Sequence, residues 1–503
     1  MVKNHIAKSF TGGIKLNANK NVSSSKTIAE QFIPSKLIIP MSHQFGPDAI
    51  PIVKVNQRIK KGELIGEPAD KNALAVHASC SGQVTAIEQH QEPIVGEVSS
   101  STCVIIQTNK DDDVSHQKKY WPRDTQTRLN LINQAGIVGL GGGSFPTAEK
   151  LNSKSLNCEL LILNGAECEP FISCDDVLMR EHATEVLRGG MAMMELVGAS
   201  AILVCIEDDK PEALNAVYDA AGQLNSKLIQ IVTLPTRYPA GGEKQLIEAV
   251  TGKEVPSGEY PINIGFICQN VGTAYALDRY IQLGEPQINR VVTVTGQGIK
   301  NPQNVLVPIG SPISELISFC GGYNDDVSHL ILGGNMMGYS LHTDELPVTK
   351  ATNCILAINK SQEEKSTQIW PCIRCGDCAS ACPAKLLPQQ IVKAYTNKNF
   401  NKLEELGLKD CIECGCCDVV CPSHIPLTAS FKNAKYLTEE ATTHSLLANE
   451  AEMRHNLKKI RLSKEQMKVD RLHAELKSNV RGDNRKSMIN DAVNRSRKLR
   501  NKK

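Results

Sequence analysis

Short apolar runs separated by turns fill the first part of the chain. Many contain β-branched residues and are bounded by glycine, proline or polar residues, which is typical of strands. They lack the three-to-four-residue apolar spacing of an amphipathic helix. The pattern therefore predicts a small all-β module over residues 1–110, with strands in the runs 37–40, 50–55, 62–66, 75–78, 82–87 and 104–106.

The pattern changes at about residue 123. Continuous apolar runs at 160–163 and 201–206 predict buried strands, and the stretch 176–197 between them predicts a helix. Alternating strands and helices are typical of an α/β domain, which we expect over residues 123–285.

A third pattern follows the α/β region. Apolar runs at 291–296 and 329–334 flank a predicted helix at 313–319. Two strands around one helix favour a small β-grasp-like module, of the kind called SLBB, over residues 286–350.

The last segment, residues 436–503, is polar and basic. Met453, Leu457, Ile460, Met467 and Ala474 fall at helical spacing. Residues 451–503 contain 17 Lys or Arg and 6 Asp or Glu, so their net charge is +11 and that of residues 1–450 is −9. Two interpretations stay open: a helix that docks on a partner or an anionic membrane surface, and a solvated, partly disordered tail.

Composition narrows the class of protein. At 503 residues the chain is long enough for several domains. Its 18 cysteines include ten scattered singly, which indicates buried thiols in a reducing compartment, most simply the cytoplasm. No apolar stretch reaches the ~18 residues of a spanning helix, and no signal-peptide core follows the N-terminus. Aromatic residues make up 4% of the chain without a basic motif among them, so nucleic-acid binding is not expected.

The other eight cysteines form two copies of Cys-x-x-Cys-x-x-Cys-x-x-x-Cys-Pro. This is the spacing of two-cluster bacterial ferredoxins, in which the fourth cysteine of each motif ligates the other cluster. Zinc ligands come as separated pairs and do not repeat this pattern. The predicted [4Fe–4S] ligand sets are Cys372, Cys375, Cys378 with Cys421, and Cys411, Cys414, Cys417 with Cys382, in a ferredoxin-like domain over residues 365–435. Cys416 is off-pattern and is interpreted as a spare thiol.

A glycine-rich loop is a second candidate site. Residues 139–147 read Gly-Leu-Gly-Gly-Gly-Ser-Phe-Pro-Thr, and such a loop at the start of a helix can hold a phosphate through backbone N–H groups. The preceding residues 128–135 are predicted to be helical, so a Rossmann fingerprint is excluded, and no Walker A lysine follows. The strand 160–163 then leads into Asn-Gly-Ala-Glu-Cys-Glu-Pro at 164–170, at the strand end where open α/β sheets bind ligands.

Four segments resemble the FMN- and NADH-binding segments of the flavoprotein subunit of respiratory complex I, in the same order. They are 139–150, 164–170, Tyr238–Glu243 and 269–273. Leu140, Ala166 and Gly242 depart from that subunit, which has Arg, Asp and Glu at these positions. The resemblance implies cofactor-binding roles for Gly139, Gly141, Gly142, Gly143, Phe145, Thr147, Lys150, Asn164, Glu167, Glu169, Gly241, Glu243, Asn270 and Thr273.

The order of domains resembles a more specific family. Residues 53–84 are similar to the biotinyl/lipoyl-carrier barrel, in which Lys71 is either a lipoylated lysine or an unmodified surface lysine. A carrier-like barrel before the flavoprotein region and a two-cluster ferredoxin after it resemble the RnfC (RsxC) subunits of Rnf electron-transport complexes, over residues 10–435. The predicted fold class is a multidomain protein of α/β and β domains with a C-terminal two-cluster ferredoxin domain of the α+β class.

This resemblance implies an ion-translocating oxidoreductase subunit. It would be peripheral on the cytoplasmic side of the bacterial inner membrane. Hydride transfer between NADH and N5 of FMN would be followed by single-electron transfer to two [4Fe–4S] clusters, with Glu167 and Lys150 nearest the nucleotide and no residue assigned a catalytic role. The implied partners are the integral-membrane and iron–sulfur subunits of an Rnf/Rsx-type complex, and ferredoxin. The alternatives are a non-catalytic iron–sulfur electron-transfer adaptor and a soluble diaphorase subunit of a hydrogenase or formate dehydrogenase.

Overall fold

The computed structural model describes residues 4–7, 9–70, 73–94, 96–109, 113–118, 120–152, 157–361, 368–481 and 484–500. It forms two compact units, residues 1–431 and 432–503. Lys71 lies outside the described residues, so the carrier interpretation of this lysine stays a prediction.

A barrel-like β module covers residues 36–108. Two antiparallel sheets share one apolar core, in which Leu37, Ile65 and Ile106 are fully buried. The four-stranded sheet has the order Lys36–Pro40, Glu97–Thr108, Gly82–Ile94, Arg58–Ile59, and the three-stranded sheet has the order Ile50–Pro51, Leu64–Glu67, Val76–His77.

The described residues among the first 30 do not join this module, although the sequence predicts a β module from residue 1. The strand Asn4–Ile6 pairs in parallel with Ile229–Leu234 instead. This adds an edge strand to the α/β sheet, which satisfies backbone groups that would otherwise lack partners. A short helix, Asn21–Ser24, follows.

The α/β domain is a five-stranded, fully parallel sheet. Its order is Asn4–Ile6, Ile229–Leu234, Ala201–Glu207, Leu160–Gly165, Phe266–Asn270. Its strands at 160–165 and 201–207 contain the two predicted apolar runs. The helices of the domain are Thr125–Gln134, Thr147–Leu151, Cys174–Val197, Pro211–Leu224, Glu243–Thr251 and Val271–Leu283.

The β-grasp-like sheet extends beyond the predicted boundary at residue 350. Its order is Gln303–Pro308, Asn289–Thr295, Cys354–Asn359, Val327–Leu332, Tyr339–Leu341, with the helix Ile313–Phe319. The apolar strand Cys354–Asn359 is almost entirely buried and pairs with strands on both sides. The module therefore needs this strand as its centre.

The ferredoxin section of the first unit contains short helices: Asp377–Ala381, Pro388–Thr396, Phe400–Glu405 and Cys416–Val419. A long helix, Leu427–Arg481, begins at its end, and Asn484–Arg500 is also helical. Among the helices described, none combines the length and the apolar content needed to cross a membrane.

The packing of two helices against each other depends on a glycine. A Cβ atom at Gly189, in Cys174–Val197, would lie 1.8 Å from the carbonyl oxygen of Ala274 in Val271–Leu283. Gly222, in the helix Pro211–Leu224, has no atom within 4 Å of the corresponding position.

We predict that Gly189→Ala destabilises the protein by about 3 kcal/mol or more, because the contact involves backbone and the helices must separate. The matched substitution Gly222→Ala should stabilise it by roughly 0.5–1 kcal/mol, the ordinary helix preference for alanine. Thermal unfolding of the two variants beside the parent protein tests this. Equal transition temperatures for both variants would contradict the close helix contact.

Candidate functional site

Two asparagines lie side by side at the carboxyl edge of the parallel sheet. Asn164 and Asn270 are register partners on neighbouring strands. The side chain of Asn164 donates from Nδ2 to the carbonyl oxygen of Gly241 at 2.9 Å, and its Oδ1 accepts from the backbone N–H of Ala166 at 3.0 Å. Asn270 Oδ1 accepts from the N–H of Gly272 at 2.8 Å and caps the helix Val271–Leu283. The two amides therefore fix the loops around this edge.

The glycine-rich loop, residues 139–147, is fixed to the same helix. The backbone N–H of Leu140 donates to Thr273 Oγ1 at 2.9 Å, and the N–H of Gly139 donates to the carbonyl oxygen of Phe145 at 2.9 Å. A Cβ at Gly141 would lie 3.4 Å from the Cβ of Asn270. The loop thus lies directly beside the asparagine pair.

The middle of this loop borders open space. Neither Gly142 nor Gly143 has an atom within 4 Å of its Cβ position, and Gly142 adopts a φ of +102°. The buried Thr147 Oγ1 and Gln269 Nε2 have no hydrogen-bond partner among the described residues. Open space beside exposed backbone, with unused polar groups nearby, fits a bound polar group such as a phosphate.

The segment Tyr238–Glu243 forms another side of the site. A Cβ at Gly241 would lie 2.3 Å from the carbonyl oxygen of Ala166, so this position requires glycine. Glu243 pairs with Lys150, whose Nζ lies 2.6 Å from Glu243 Oε1, and about a third of each side chain is exposed. The structure therefore brings the four predicted segments together, with the Lys150–Glu243 pair partly exposed.

Two predicted carboxylates have other partners. Glu167 accepts from the backbone N–H of Asp175 at 2.9 Å, at the start of the helix Cys174–Val197, and lies 3.8 Å from the ammonium of Lys20. Glu169 accepts from the N–H groups of Met336 and Met337 at 2.7 and 3.0 Å, and burial raises its pKa. These contacts fix backbone segments and do not favour the predicted position of Glu167 nearest the nucleotide.

Two ionisable residues near the site, the half-buried Asp175 and the buried Arg290, were not predicted from the sequence. Asp175 Oδ2 accepts from Asn270 Nδ2 at 2.6 Å, and burial together with Glu167 raises the pKa of Asp175 to about 7. Arg290 donates to the carbonyl oxygen of Leu140 at 3.3 Å, and burial lowers its pKa. The sequence feature that could have indicated Arg290 is a charged residue near the start of the buried strand Asn289–Thr295.

The eight motif cysteines lie in the ferredoxin section with different exposure. Cys372 and Cys375 are exposed, Cys411 and Cys421 are half-buried, and the remaining four are buried. Burial raises the pKa of Cys382, and the nearby thiol of Cys414, from the other motif, adds to the effect. At the other end of the motifs, the N–H of Trp370 donates to the carbonyl oxygen of Ser423 at 3.0 Å. The first motif therefore ends near Cys414 of the second motif, and the residues that follow the second motif lie beside those that precede the first.

One loop joins the sheet edge to these cysteines. Tyr238 Oη donates to the carbonyl oxygen of Cys414 at 2.7 Å, and Tyr238 packs with Ala381 and Cys416 in one apolar cluster. Three residues further on, the N–H of Gly241 donates to Cys168 Sγ at 3.3 Å. The segment that binds Asn164 thus also contacts the second cysteine motif.

Four family models match the chain in sequence. They are the RnfC barrel sandwich hybrid domain over residues 8–111, the Nuo51 FMN-binding domain over 132–279, the SLBB domain over 291–340 and the 4Fe-4S dicluster domain over 371–425. The C subunit of the ion-translocating oxidoreductase complex of Pectobacterium atrosepticum is 38% identical over 473 residues, which are 94% of this chain and 68% of that relative.

The chain belongs to the RnfC family. Two further members are the corresponding proteins of Vibrio cholerae, 40% identical over 80% of this chain, and of Pseudomonas aeruginosa, 39% identical over 91% of it. The chain spans 52% and 59% of the length of these two relatives. It has an FMN-binding domain of the Nuo51 type and a 4Fe-4S dicluster domain, as the sequence predicts for this family.

Solved structures give a weaker likeness. The crystal structure of an NAD+-reducing [NiFe]-hydrogenase in the air-oxidized state aligns with a TM-score of 0.42 and 16% identity, over 58% of this chain and 60% of that chain.

The glycine-rich loop provides a direct test of the flavin site. Gly143→Val should abolish flavin retention, because the side chain would fill open space without touching the protein. Gly143→Ala should give a smaller loss. Flavin released on denaturation and iron content are measured together, and the iron content should not change. Full flavin retention in Gly143→Val would show that the loop does not hold the cofactor.

Proposed function

We propose that this chain is the peripheral electron-transfer subunit of an Rnf-type translocase. It exchanges electrons between NADH, FMN and two [4Fe–4S] clusters, and partner subunits couple this transfer to ion translocation. The observation that carries the proposal is the continuous contact from the glycine-rich loop to the cysteine motifs. It runs from Gly141 through Asn270 and Asn164 to the segment Tyr238–Glu243, and from there to Cys414.

FMN would be held by the residues around the sheet edge. The backbone at Gly141, Gly142 and Gly143 can approach a phosphate because no Cβ intervenes. Gly139, Thr273, Asn164, Asn270 and Gly241 fix the surrounding loops, and Thr147 has an unused hydroxyl. When bound, FMN accepts two electrons as hydride from NADH and releases them singly.

NADH would approach at the exposed rim of this site. Phe145 is 38% exposed, and about a third of each side chain of the Lys150–Glu243 pair is exposed, so these side chains can meet a substrate without prior opening of the fold. Leu140 brings no charge to the loop, and Glu167 and Glu169 are engaged with backbone donors. Binding of the nicotinamide would therefore depend on backbone groups and on the rim.

The eight cysteines would hold two clusters in crossed sets. Cys382 would join Cys411, Cys414 and Cys417, which is supported by its proximity to Cys414. Cys421 would join Cys372, Cys375 and Cys378, supported by the pairing of residues 370 and 423 and by the Ser423 hydroxyl that donates to the carbonyl oxygen of Pro371 at 3.0 Å. Because each cluster would be held by cysteines of both motifs, the two motifs would fold together as one section.

The two proposed clusters differ in their surroundings. The set with Cys414 lies beside Tyr238 and is mostly buried, so it would exchange electrons with the flavin. The set with Cys372 lies near Ile369, Trp370 and Ile373, which are 60%, 55% and 68% exposed. An exposed apolar patch marks an interaction surface. It would face a partner of the complex, an integral-membrane or iron–sulfur subunit, or ferredoxin.

Attachment at the cytoplasmic side of the inner membrane would involve these partners and the basic C-terminal segment. Each Lys or Arg near an anionic lipid surface contributes about 1 kcal/mol, which salt screens. Apolar side chains of this segment, among them Leu446, Leu457 and Leu472, are more than half exposed. The segment is therefore a candidate second anchor.

The proposed activity is tested by adding NADH to the purified chain without oxygen. The flavin absorbance should bleach, and the reduced clusters should give paramagnetic resonance signals, because the proposed cofactor sites lie along one contact path. A protein with full iron and flavin that NADH leaves oxidised would favour the alternative of a non-catalytic adaptor.

The crossed ligand sets are tested by single substitutions. Cys382→Ala should remove the cluster of the second motif and Cys421→Ala that of the first, each leaving about four of eight irons. Cys416→Ala is the matched control, because this buried cysteine is off-pattern, and it should keep all the iron. Loss of the first-motif signal in Cys382→Ala would disprove the crossed sets. Iron analysis and resonance spectra of the three variants provide the measurement.

A further inference from the structure

A cavity lined by apolar and polar residues lies where the β module meets the flavoprotein domain. Its volume is about 70 Å³, several times the ~10–15 Å³ that one water molecule needs. The β module contributes His43 and Glu92, the flavoprotein domain contributes Ser144, and Lys350 completes the lining. Ser144 belongs to the glycine-rich loop, so the cavity borders the loop of the proposed flavin site.

Lys350 brings a positive charge that no carboxylate neutralises directly. Its Nζ donates to the carbonyl oxygen of Gly136 at 2.6 Å, and among the described residues no acidic side chain lies within ion-pair distance. An ammonium has three N–H donors, so two remain for another acceptor. Burial lowers the pKa of Lys350 to about 8, which leaves most of the ammonium charged at neutral pH. A half-buried cation without a direct ion-pair partner favours a bound anion.

Ser144 is an independent indication of a ligand. Only 8% of this residue is exposed, and its Oγ has no hydrogen-bond partner among the described residues. Its backbone has a φ of +45°, uncommon outside glycine, which the surrounding loop holds in place. A buried hydroxyl of this kind normally has a partner, and here the cavity is the available space for one.

The other polar groups define the chemistry further. His43 Nε2 lies 2.9 Å from the carbonyl oxygen of Leu74, so this nitrogen carries the proton and Nδ1 is an acceptor. Burial and the charge of Lys350 lower the pKa of His43 to about 4, which keeps the ring neutral. Glu92 accepts from the Ser42 hydroxyl, and burial raises its pKa. The cavity thus offers donors to an anionic oxygen and an acceptor to a hydroxyl.

We propose that this cavity is a phosphate-binding site, formed jointly by Lys350 and Ser144, that it receives a phosphate group of the dinucleotide substrate, and that His43 Nδ1 accepts from a hydroxyl of the same ligand. This inference rests on the proposed function, which supplies the dinucleotide. The β module would then be one wall of the substrate site. The rings of Phe45, from the β module, and Phe145, next to Ser144, meet edge to face with centroids 5.2 Å apart, which fixes the two domains together beside the cavity.

The test compares variants of the full chain with its cofactors loaded. Equilibrium binding of NAD+, which does not reduce the flavin, and of inorganic phosphate is measured by calorimetry. Lys350→Met should weaken the binding of both ligands at least tenfold, and Ser144→Ala should weaken it several-fold. Lys350→Arg should keep most of the affinity because the charge remains. Lys54→Met removes an exposed charge from the same module and should change neither affinity.

The possible binding results distinguish the proposed site from its alternatives. Unchanged binding of both ligands in Lys350→Met and Ser144→Ala, or no binding of either ligand to the parent protein, would overturn the proposal. Weaker phosphate binding with unchanged NAD+ affinity would overturn the dinucleotide assignment and identify a site for free phosphate. If Lys350→Met fails to fold, Ser144→Ala decides, because it removes a single hydroxyl. Lys350-dependent phosphate binding in a protein that NADH cannot reduce would refute the proposed function but keep the anion site.

Discussion

The arrangement of the redox domains depends on one short segment, Tyr238–Glu243, which contacts both of them. Its carbonyl oxygen at Gly241 accepts from Asn164 at the carboxyl edge of the parallel sheet, and its Tyr238 hydroxyl donates to the backbone of Cys414. The absence of a Cβ at Gly241 allows the segment to lie against Ala166. Because these contacts involve backbone on both sides, a displacement of the segment would separate the flavin loop from the cysteine motifs. The order of electron transfer that we propose follows from this geometry.

The N-terminal residues form a second connection between the two redox domains. The strand Asn4–Ile6 extends the parallel sheet, and further along the N–H of Gly13 donates to the carbonyl oxygen of Ala381, in the helix between two motif cysteines. Lys20 donates to the carbonyl oxygens of Glu167 and Ile172 and lies near the Glu167 carboxylate. Residues that precede the β module therefore connect the flavoprotein sheet to the ferredoxin section. The whole of residues 1–431 folds as one compact unit.

The features that the sequence predicted correctly were local ones. The apolar run at 160–163 lies in a buried strand, the helix at 313–319 has the predicted bounds, and the glycine-rich loop lies between a helix and the short helix Thr147–Leu151. Pairings between strands distant in the sequence could not be predicted, because the apolar periodicity of a strand does not indicate which strand lies beside it. Residues 4–6 fell within the predicted β module for this reason, and no strand was predicted there. The central strand Cys354–Asn359 was overlooked, although its apolar run is visible in the sequence.

The same limit applies to the site. Cysteine spacing and glycine content indicate chemistry because cluster ligation and close backbone approach impose residue types. A carboxylate at the end of a strand has no such signature: Glu167 and Glu169 satisfy backbone N–H groups, while Asp175, on the following helix, reaches Asn270. Lys350 lies some two hundred residues after Ser144 in the chain, and only the folded protein brings both to one cavity.

The central claim, that electrons pass from the flavin through the cluster beside Tyr238 to the exposed cluster, is tested most directly by reductive titration of two variants with NADH. In Cys421→Ala, which should lack the exposed cluster, the cluster beside Tyr238 should become reduced together with the flavin. In Cys382→Ala, which should lack the cluster beside Tyr238, the flavin should become reduced while the exposed cluster stays oxidised or is reduced far more slowly. Rapid reduction of the exposed cluster in Cys382→Ala would contradict the account.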